Sequence, residues 1–569
     1  MYITRVPNRN SPPAVLLRES YRENGKVKSR TLANLSKLPA ECIEVLRRSL
    51  KGERLVGAGD AFEAIASPHH GHVQAVLQAM ERLGFAELIG SRPSRERDLV
   101  VAMVGARILE PDSKLATTRW WHTTTLPALL GVSDADEEDE LYQALDWLLA
   151  RQRRIEGKLA ARHLEEDALA LYDLSSSYFE GVTCPLAAFG HNRDAKKGKR
   201  QVNYGLLTNR EGIPVAVSVF KGNTGDNKTL LPQIDKVRQQ FGLERFVLVG
   251  DRGMITQKQV DALREVEGVD WIAALRPEAI KKLLDSGALQ MDLFDQRNLF
   301  ELTHPDFPAE RLVACRNPEL AKRRAEKRRS LLEATAKELD KVRAMVERGR
   351  LHGEDAIGVR VGKVVNKYKV AKHFKLDIND HRFDFELDEE RIAGEAALDG
   401  IYVVRTSLGE QRMSADQTVR SYKMLSQVER AFRSFKSIDI KVRPIRHRLE
   451  GRVRAHIFLC MLAYYVQWHM LEAWRPLLFC DEDQQAKANR DPVAPAKRSE
   501  PALNKVHART LDDGTEVHSF RTLITRLSSI VRNVCRVPGS GTETATFEVV
   551  TTPDAKQQQA YELLETIQL

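Results

Sequence analysis

The stretch YKMLSQVERAFRSFK, residues 422–436, predicts a helix that carries one acidic side chain among basic ones. At 3.6 residues per turn, one side of this helix holds Tyr422, Leu425, Glu429 and Lys436. Another side holds the apolar residues that would pack it down, namely Val428, Phe432 and Phe435. Two interpretations are open: a solvated charged helix, or a helix that presents the Glu429 carboxylate at a site. Two regions far upstream bear on the choice.

Those regions are apolar runs that each meet an aspartate. ALALYDLS (168–175) contains Asp173, and RFVLVGD (245–251) ends at Asp251. The patterns from 168 to 276 predict the order β-β-β-α-β-α-β, which gives an α/β fold with a mixed sheet and helices on its faces. We interpret both aspartates as closing their strands, where side chains face a crevice.

Each aspartate alone could be a turn or cap residue. Together with Glu429, on the helix after the last strand, Asp173 and Asp251 would make an oxygen-rich site for hard cations such as Mg²⁺. Two such ions can activate an attacking oxygen and stabilise a leaving oxygen in phosphoryl transfer.

The size, charge and cysteine content limit the class of protein. The 569 residues suffice for several domains. Lys and Arg number 88 against 79 Asp and Glu, a net charge of +9 that suits a polyanionic partner without identifying one. The six cysteines form no CxxC pair, which argues against a disulfide framework and a zinc site. The start MYITRVPNRN has no apolar segment of a signal peptide, so we expect a cytoplasmic protein.

The hydrophobic patterns divide the chain into six regions: a small β-hairpin plus helix unit (1–50), a helical region (68–165), the first part of an α/β core (166–277), an insertion domain with a helical arm and β strands (278–398), the second part of the core with the catalytic helix (399–478), and a C-terminal tail (503–569). Within the insertion we predict strands at 356–365, 371–376 and 381–387. The histidines of SPHHGH (67–72) could mark a helix start or a metal site, and the lack of nearby ligand partners favours the helix start.

These motifs resemble the bacterial insertion-sequence transposases of the DDE class, whose catalytic core is ribonuclease-H-like. The resemblance covers about residues 100–475 and is strongest for the branch with the Tyr-x2-Arg-x3-Glu-x6-Lys signature. Tyr422, Glu429 and Lys436 match that spacing, while Leu425 stands where the family has Arg. The other matching blocks are PDSKLATTRWW (111–121), YDLSSSYFEG (172–181), GLLTNREGIPVAVSVFKGNTGDNKTL (205–230) and VGDRGM (249–254).

The resemblance implies a role for each matching residue. Asp173, Asp251 and Glu429 would be the catalytic, metal-binding triad, with two Mg²⁺ ions for which Mn²⁺ could substitute. Tyr422 and Lys436 would contact DNA phosphate near the cleaved end. By their positions we add Arg430, Arg433, Arg252 and Arg443 as expected DNA-binding residues, with Arg430 or Arg433 supplying the charge that is missing at Leu425. Of these, Arg252 could equally pair with an acidic neighbour, and Arg443 lies in the basic stretch 441–454 that follows the helix.

The implied activity is that of a DNA transposase. Such an enzyme binds the terminal inverted repeats of an insertion sequence, cleaves at the ends and joins the 3′-OH ends to target DNA. By analogy, region 68–165 reads the repeats, and the synaptic complex is a homodimer, with 503–569 and the helix 318–348 as candidate interfaces. The resemblance implies a bacterial protein associated with the nucleoid when bound to DNA. Two alternatives are a ribonuclease-H-like nuclease without strand transfer and a catalytically inactive DNA-binding relative.

Overall fold

The computed structural model describes residues 1–9, 11–53, 61–135, 137–191, 193–194, 196–289, 298–481, 483, 490–494, 498–537 and 546–569. It contains two compact units. One consists of Met1–Pro68 and Val531–Thr552, and the other of His69–Ile530 and Pro553–Leu569. The predicted C-terminal region 503–569 therefore contributes residues to both units.

The smaller unit contains two antiparallel sheets and a helix. The first sheet is formed by β1 (Tyr2–Val6), β2 (Ala14–Glu23) and β3 (Lys26–Asn34), followed by α1 (Ala40–Leu50). The second is formed by β4 (Glu63–Ala66), β15 (Arg532–Arg536) and β16 (Phe547–Val550). The predicted hairpin turns at Asn24 and Gly25, which both have positive φ, as a two-residue hairpin with the strands' natural twist requires.

In the larger unit, the region predicted to be helical is helical. Its helices are α2 (Gly71–Arg82), α3 (Phe85–Ile89), α4 (Arg95–Leu109), α5 (Lys114–Trp120), α6 (Leu126–Leu129), α7 (Glu138–Leu149) and α8 (Gln152–His163). As expected for a helix start, the SPHHGH stretch immediately precedes and enters α2, and the His70 Nδ1 lies 2.8 Å from the Thr125 hydroxyl.

The main sheet has eight strands. They are β5 (Ala168–Tyr178), β6 (Gln201–Thr208), β7 (Pro214–Lys221), β8 (Phe246–Gly250), β9 (Val269–Ala274), β10 (Leu299–Leu302), β11 (Arg311–Arg316) and β14 (Ile401–Thr406). Their spatial order is β10-β11-β14-β9-β8-β5-β6-β7. The strands β5, β8 and β9 are parallel, and the meander β5-β6-β7 is antiparallel. The predicted strand order and the mixed sheet are confirmed.

Helices lie between these strands and after them. α9 (Leu230–Asp235) precedes β8, α10 (Gln257–Arg264) precedes β9, and α11 (Pro277–Asp285) follows β9. Strands β10 and β11 fall within the segment 278–398 that was interpreted as an insertion, yet they pair at the edge of the main sheet through β14. The rest of that segment forms its own core.

That core consists of α12 (Pro318–Glu347), α13 (Glu354–Tyr368), the hairpin β12 (Phe374–Asn379) and β13 (Arg382–Leu387), and α14 (Glu389–Ala396). The strand predicted at 356–365 is wrong, because this stretch is helical. Its apolar residues Ile357, Val361 and Val365 recur every fourth position and pack as one stripe with residues of α12. This packing outweighs the β preference of the valines.

After β14 the chain forms α15 (Ala415–Lys423), α16 (Leu425–Arg433), a π-helical turn (Ser434–Ile438) and α17 (Glu450–Ala473). The helix predicted over 422–436 is thus not continuous. It ends at Lys423 and begins again at Leu425, and the N–H of Met424 between them donates to the carbonyls of both Arg420 and Ser421. The remaining helices are α18 (Glu500–Ala508), α19 (Phe520–Leu527) and α20 (Ala555–Glu565). In the described part of the chain, no helix is both long and apolar enough to span a bilayer.

Candidate active site

Asp173 and Asp251 lie at the same level of two neighbouring parallel strands. In the β5–β8 ladder the last pair is Tyr172 with Gly250, and each aspartate is the next residue. Asp251 follows the end of β8, as predicted, and is exposed. The prediction that Asp173 closes its strand is wrong, because β5 continues to Tyr178 by pairing with β6. Asp173 therefore sits mid-strand, where it is half-buried.

Glu429 reaches the sheet on α16, which packs against β5. The apolar residues predicted to anchor this helix, Val428, Phe432 and Phe435, are all buried. The Tyr204 ring of β6 lies 5.9 Å from the Phe432 ring and 5.5 Å from the Phe435 ring. With its apolar face fixed in this way, α16 leaves Glu429 exposed on the opposite face.

Asp173 is influenced by the charges of the other two carboxylates. Burial, together with the negative charges of Asp251 and Glu429, raises the pKa of Asp173 to about 7. The N–H of Leu174, which donates to the Asp173 carboxylate at 2.8 Å, and the charge of Arg193 oppose this shift. Asp173 is thus a half-buried acid whose pKa is raised by burial and by two other acids.

Tyr422 faces the same three carboxylates. Burial raises the pKa of its hydroxyl, and the charges of Asp251, Glu429 and Asp173 add to this, while Arg252 opposes it. A cavity of about 320 Å³ lies beside this group, and its lining includes Asp251, Arg252 and Tyr422. Tyr422 and Glu429 are thus directed to one place although the helix breaks at Met424 between them.

The donor set suits a hard divalent cation. Carboxylate oxygens are the ligands that Mg²⁺ prefers, and a cation would neutralise the charge that burial and crowding disfavour at Asp173. Among the residues that the structure describes, however, no three His, Cys, Asp or Glu side chains are already gathered closely enough to hold a metal ion. Binding of an ion at Asp173, Asp251 and Glu429 would require these side chains to approach one another.

Two of the expected DNA-binding cations meet at a buried acid. The Lys436 Nζ lies 3.2 Å from Asp194, and the Arg443 guanidinium contacts the same carboxylate oxygen. Burial lowers the pKa of Lys436, and the Asp194 charge opposes this. These two cations are therefore brought together at Asp194, with their side chains 13% and 24% exposed.

The other expected DNA-binding residues divide into two groups. Arg433 is exposed one turn after Glu429, and Arg252 lines the cavity. Arg430 is directed elsewhere: burial raises the pKa values of Tyr464 and Cys480, and the Arg430 charge partly offsets both shifts. Leu425, at the position where the related family has Arg, is buried in the core of the unit.

The sequence patterns gave no indication of three neighbouring side chains. Arg193, whose charge acts on Asp173, forms two hydrogen bonds to Asp226, at 2.7 and 2.6 Å. Asp194 accepts the ion pairs of Lys436 and Arg443 and a hydrogen bond from the Tyr178 N–H at 2.9 Å. Arg193 and Asp194 lie in a loop whose sequence has no hydrophobic periodicity. The one indication in the sequence was that Asp194 is the acidic first residue of the basic stretch DAKKGKR (194–200).

Comparison with protein families identifies the class. The family model described as "Transposase DDE domain" matches residues 182–466, which is half of the chain, and the chain belongs to this family. The matched range includes Asp251 and Glu429, and Asp173 precedes it. The model for the N-terminal domain of IS1634 family transposases matches residues 3–60. The protein is an insertion-sequence transposase of the DDE class.

Two further comparisons complete these findings. A search of curated proteins gives no match. Among solved structures, the cryo-EM structure of a piggyBac transposase synaptic complex with hairpin DNA is similar at a TM-score of 0.33 and 7% identity, over 80% of this chain and 77% of that chain.

Proposed function

We propose that this protein binds the terminal inverted repeats of its insertion sequence, cleaves the DNA at the element's ends and joins the 3′-OH ends to target DNA. The observation that carries the proposal is that Asp173 and Asp251 lie at the same level of neighbouring parallel strands, and that the charges of Asp251 and Glu429 both act on Asp173. In a chain of the DDE family, three interacting acids at this place are suited to metal-assisted phosphodiester chemistry.

In this proposal Asp173, Asp251 and Glu429 hold two Mg²⁺ ions, or Mn²⁺ in their place. When bound, such ions supply positive charge that stabilises the attacking and leaving oxygens of a phosphoryl transfer. The chain itself positions the DNA. Tyr422 keeps its phenolic proton because its pKa is raised, and it donates a hydrogen bond to a phosphate oxygen, while Arg252 binds the same phosphodiester from the adjacent cavity wall.

The remaining DNA contacts are assigned by position. Arg433 is exposed beside Glu429 and is suited to phosphate directly, whereas Lys436 and Arg443 reach phosphate by exchanging their contact with Asp194. We propose that Arg430 contacts only the DNA that flanks the cleavage site. Placement in the Tyr-Arg-Glu-Lys branch rests on Tyr422, Glu429 and Lys436, and Leu425 departs from it.

The larger assembly follows from the need to hold two ends. We propose that helices within 68–165 read the inverted repeats and that two copies form the synaptic complex, with α12 and the segment 503–569 as interfaces. The protein would then act on the nucleoid in the bacterial cytoplasm, where its DNA substrates are.

One assay separates the proposal from its alternatives. The purified protein is incubated with labelled end DNA, a target plasmid and Mg²⁺. Labelled ends joined to the plasmid support the transposase, and the same products are expected with Mn²⁺. Cleaved ends without joined products would instead identify a nuclease, and end binding without cleavage would identify an inactive relative.

A further inference from the structure

The cavity beside the candidate active site has a second basic wall. Besides Asp251, Arg252 and Tyr422, its lining includes Arg324, which comes from α12, the long charged helix of the inserted segment. Its other lining residues are mainly apolar: Ala274, Leu275, Pro277, Ile280, Leu398, Ile401 and Tyr402. Two guanidinium groups thus face a space of about 320 Å³ in which one carboxylate, Asp251, is also exposed.

The position of Arg324 is fixed by contacts on both sides along the same face of α12. Ala321, three residues earlier, packs so closely on Gly400 that a Cβ there would lie 2.9 Å from the Ala321 Cβ. Arg328, four residues later, pairs with Asp399, with Nη1 and Oδ1 3.3 Å apart. Spacings of three and four place all three residues on one face of a helix.

The charge of Arg324 is also felt at this place. Burial raises the pKa of Asp399, and the charges of Arg328 and then Arg324 oppose the shift. Arg328 is buried and pairs with Asp399. Arg324, one turn nearer to the start of the helix, is exposed and lines the cavity.

Leu425 leaves α16 without a cation at one position near the site, where a cation from another element can act instead. The related family has Arg at this position of the catalytic helix, and here the residue is a buried Leu. No charged side chain could occupy that place without displacing the core. Phosphate near three carboxylates still requires positive charge, and a guanidinium binds two phosphate oxygens at once.

We infer that Arg324 is a DNA-phosphate-binding residue of the catalytic cavity, supplied by the arm helix α12 and acting together with Arg252 on the phosphodiester next to the cleavage site. The inference rests on the proposed function. It gives the arm a direct role at the site, in which DNA that enters the cavity is held between α12 and the loop after β8.

The test measures binding of end DNA without divalent metal, in EDTA, over about 50 to about 200 mM salt. Arg324→Ala is expected to weaken binding about tenfold and to reduce the slope of log K against log salt by about 0.9, because one counterion-releasing phosphate contact is lost. Arg324→Lys is expected to retain most of the slope. The matched control is Arg323→Ala, which removes the adjacent arginine, 74% exposed and paired with Glu319 outside the cavity lining.

A second measurement locates the contact. A neutral methylphosphonate placed next to the cleavage site should weaken binding of the wild-type protein and of Arg323→Ala, but should have little further effect on Arg324→Ala. Thermal unfolding of each variant shows whether it folds. If Arg324→Ala does not fold, the salt slope of Arg324→Lys and the effect of the methylphosphonate on binding by the wild-type protein test the inference instead.

The outcomes separate this inference from the function on which it rests. If wild-type protein cleaves end DNA and Arg324→Ala matches it in salt slope and in methylphosphonate sensitivity, the role of Arg324 is wrong. An equal loss in Arg323→Ala would assign the effect to the general charge of the arm and would also overturn it. If wild-type protein shows no metal-dependent cleavage at all, the proposed function itself fails.

Discussion

The Nζ of Lys436 lies 3.2 Å from a carboxylate oxygen of Asp194, a side chain that is only 3% exposed. The same oxygen contacts the guanidinium of Arg443, and the second oxygen accepts a hydrogen bond from the Tyr178 N–H. One buried acid therefore holds two cations that were predicted to bind DNA. It also joins the turn after α16 to the end of β5, the strand that carries Asp173.

We predict that Asp194→Asn lowers the free energy of unfolding by about 3 kcal/mol, because removal of one partner leaves two largely buried cations facing each other. Urea unfolding followed by circular dichroism measures the change. Glu319→Gln is the control, because it removes an acid from an exposed helix pair and should cost less than about 0.5 kcal/mol. Equal stability of Asp194→Asn and wild type would show that Asp194 does not hold these cations in solution.

The carboxylates themselves give the second prediction. Asp173→Asn and Glu429→Gln should each reduce cleavage of end DNA by at least about 100-fold while leaving end binding intact, because both keep the side-chain shape and remove a candidate metal ligand. Gel assays of cleavage and of binding on the same DNA measure the two effects. Asp261→Asn, on the exposed side of α10, is the control and should cleave normally. Wild-type cleavage by Asp173→Asn would remove that residue from the site.

The hydrophobic pattern was sufficient to predict most of the core. A run such as FVLVG can only be a buried strand in this context, so Asp251 was correctly placed at its end. Likewise, Val428, Phe432 and Phe435 share a helix face whose burial directs Glu429 outwards. Both predictions depend on a hydrophobic pattern that can be read from a few neighbouring residues in the sequence.

The errors share a different cause, which is packing between distant segments. Strand β5 extends beyond Asp173 because residues 201–206 pair with it, and α13 is helical because α12 offers it an apolar stripe. The role of Asp194 depends on cations that are distant in sequence, since Lys436 is separated from it by 242 residues along the chain. No local pattern encodes such a pairing.

Leu425 gives the third prediction. We expect Leu425→Arg to lower the free energy of unfolding by about 2–4 kcal/mol, because the position is 9% exposed and a charge there would be desolvated without a partner. End binding should show no steeper salt dependence. Chemical unfolding and a salt series of binding measurements check both effects. Ser426→Arg, exposed on the same helix, is the control for tolerance of the larger side chain. A stable Leu425→Arg protein with a steeper salt slope would show that position 425 faces DNA.

A buried group of basic residues, formed by His456 of α17 with His447 and Lys114, gives the fourth prediction. Burial, together with the charge of Lys114, lowers the pKa of His447 to about 3 and that of His456 well below its ordinary value. Below about pH 6.5 the unfolded chain takes up protons at these histidines, and the folded chain does not. The contribution of these histidines to stability should therefore be complete above pH 6.5, and the free energy of unfolding should fall by up to about 1.4 kcal/mol per pH unit for each histidine as the pH drops towards about 3.

Urea unfolding at a series of pH values measures this dependence, and His447→Asn should reduce its slope. Other buried histidines with lowered pKa values, such as His72, contribute to the remaining slope. A pH-independent free energy of unfolding over the same interval would mean that the histidines are solvated in the folded protein.

Lys114 gives the last prediction, on the alkaline side. Its Nζ lies 3.5 Å from the His456 Nδ1, whose ring donates from Nε2 to the Val442 carbonyl at 3.1 Å. Burial, together with the neighbouring Arg107 charge, lowers the pKa of Lys114 to about 7. Between pH 7 and 10.5 the unfolded chain holds a proton at Lys114 that the folded chain has lost, so stability should rise with pH across that interval.

Lys114→Met should remove this rise and should stabilise the protein at pH 7 by about 1–4 kcal/mol, because an apolar side chain of similar length has no charge to desolvate. Unfolding free energies of the variant and of wild type at several pH values test this. Lys337→Met, at an exposed position of α12, is the control and should leave the wild-type pH dependence unchanged. A destabilised Lys114→Met with wild-type pH dependence would contradict the argument, since it would mean that the Lys114 ammonium is charged and satisfied within the fold.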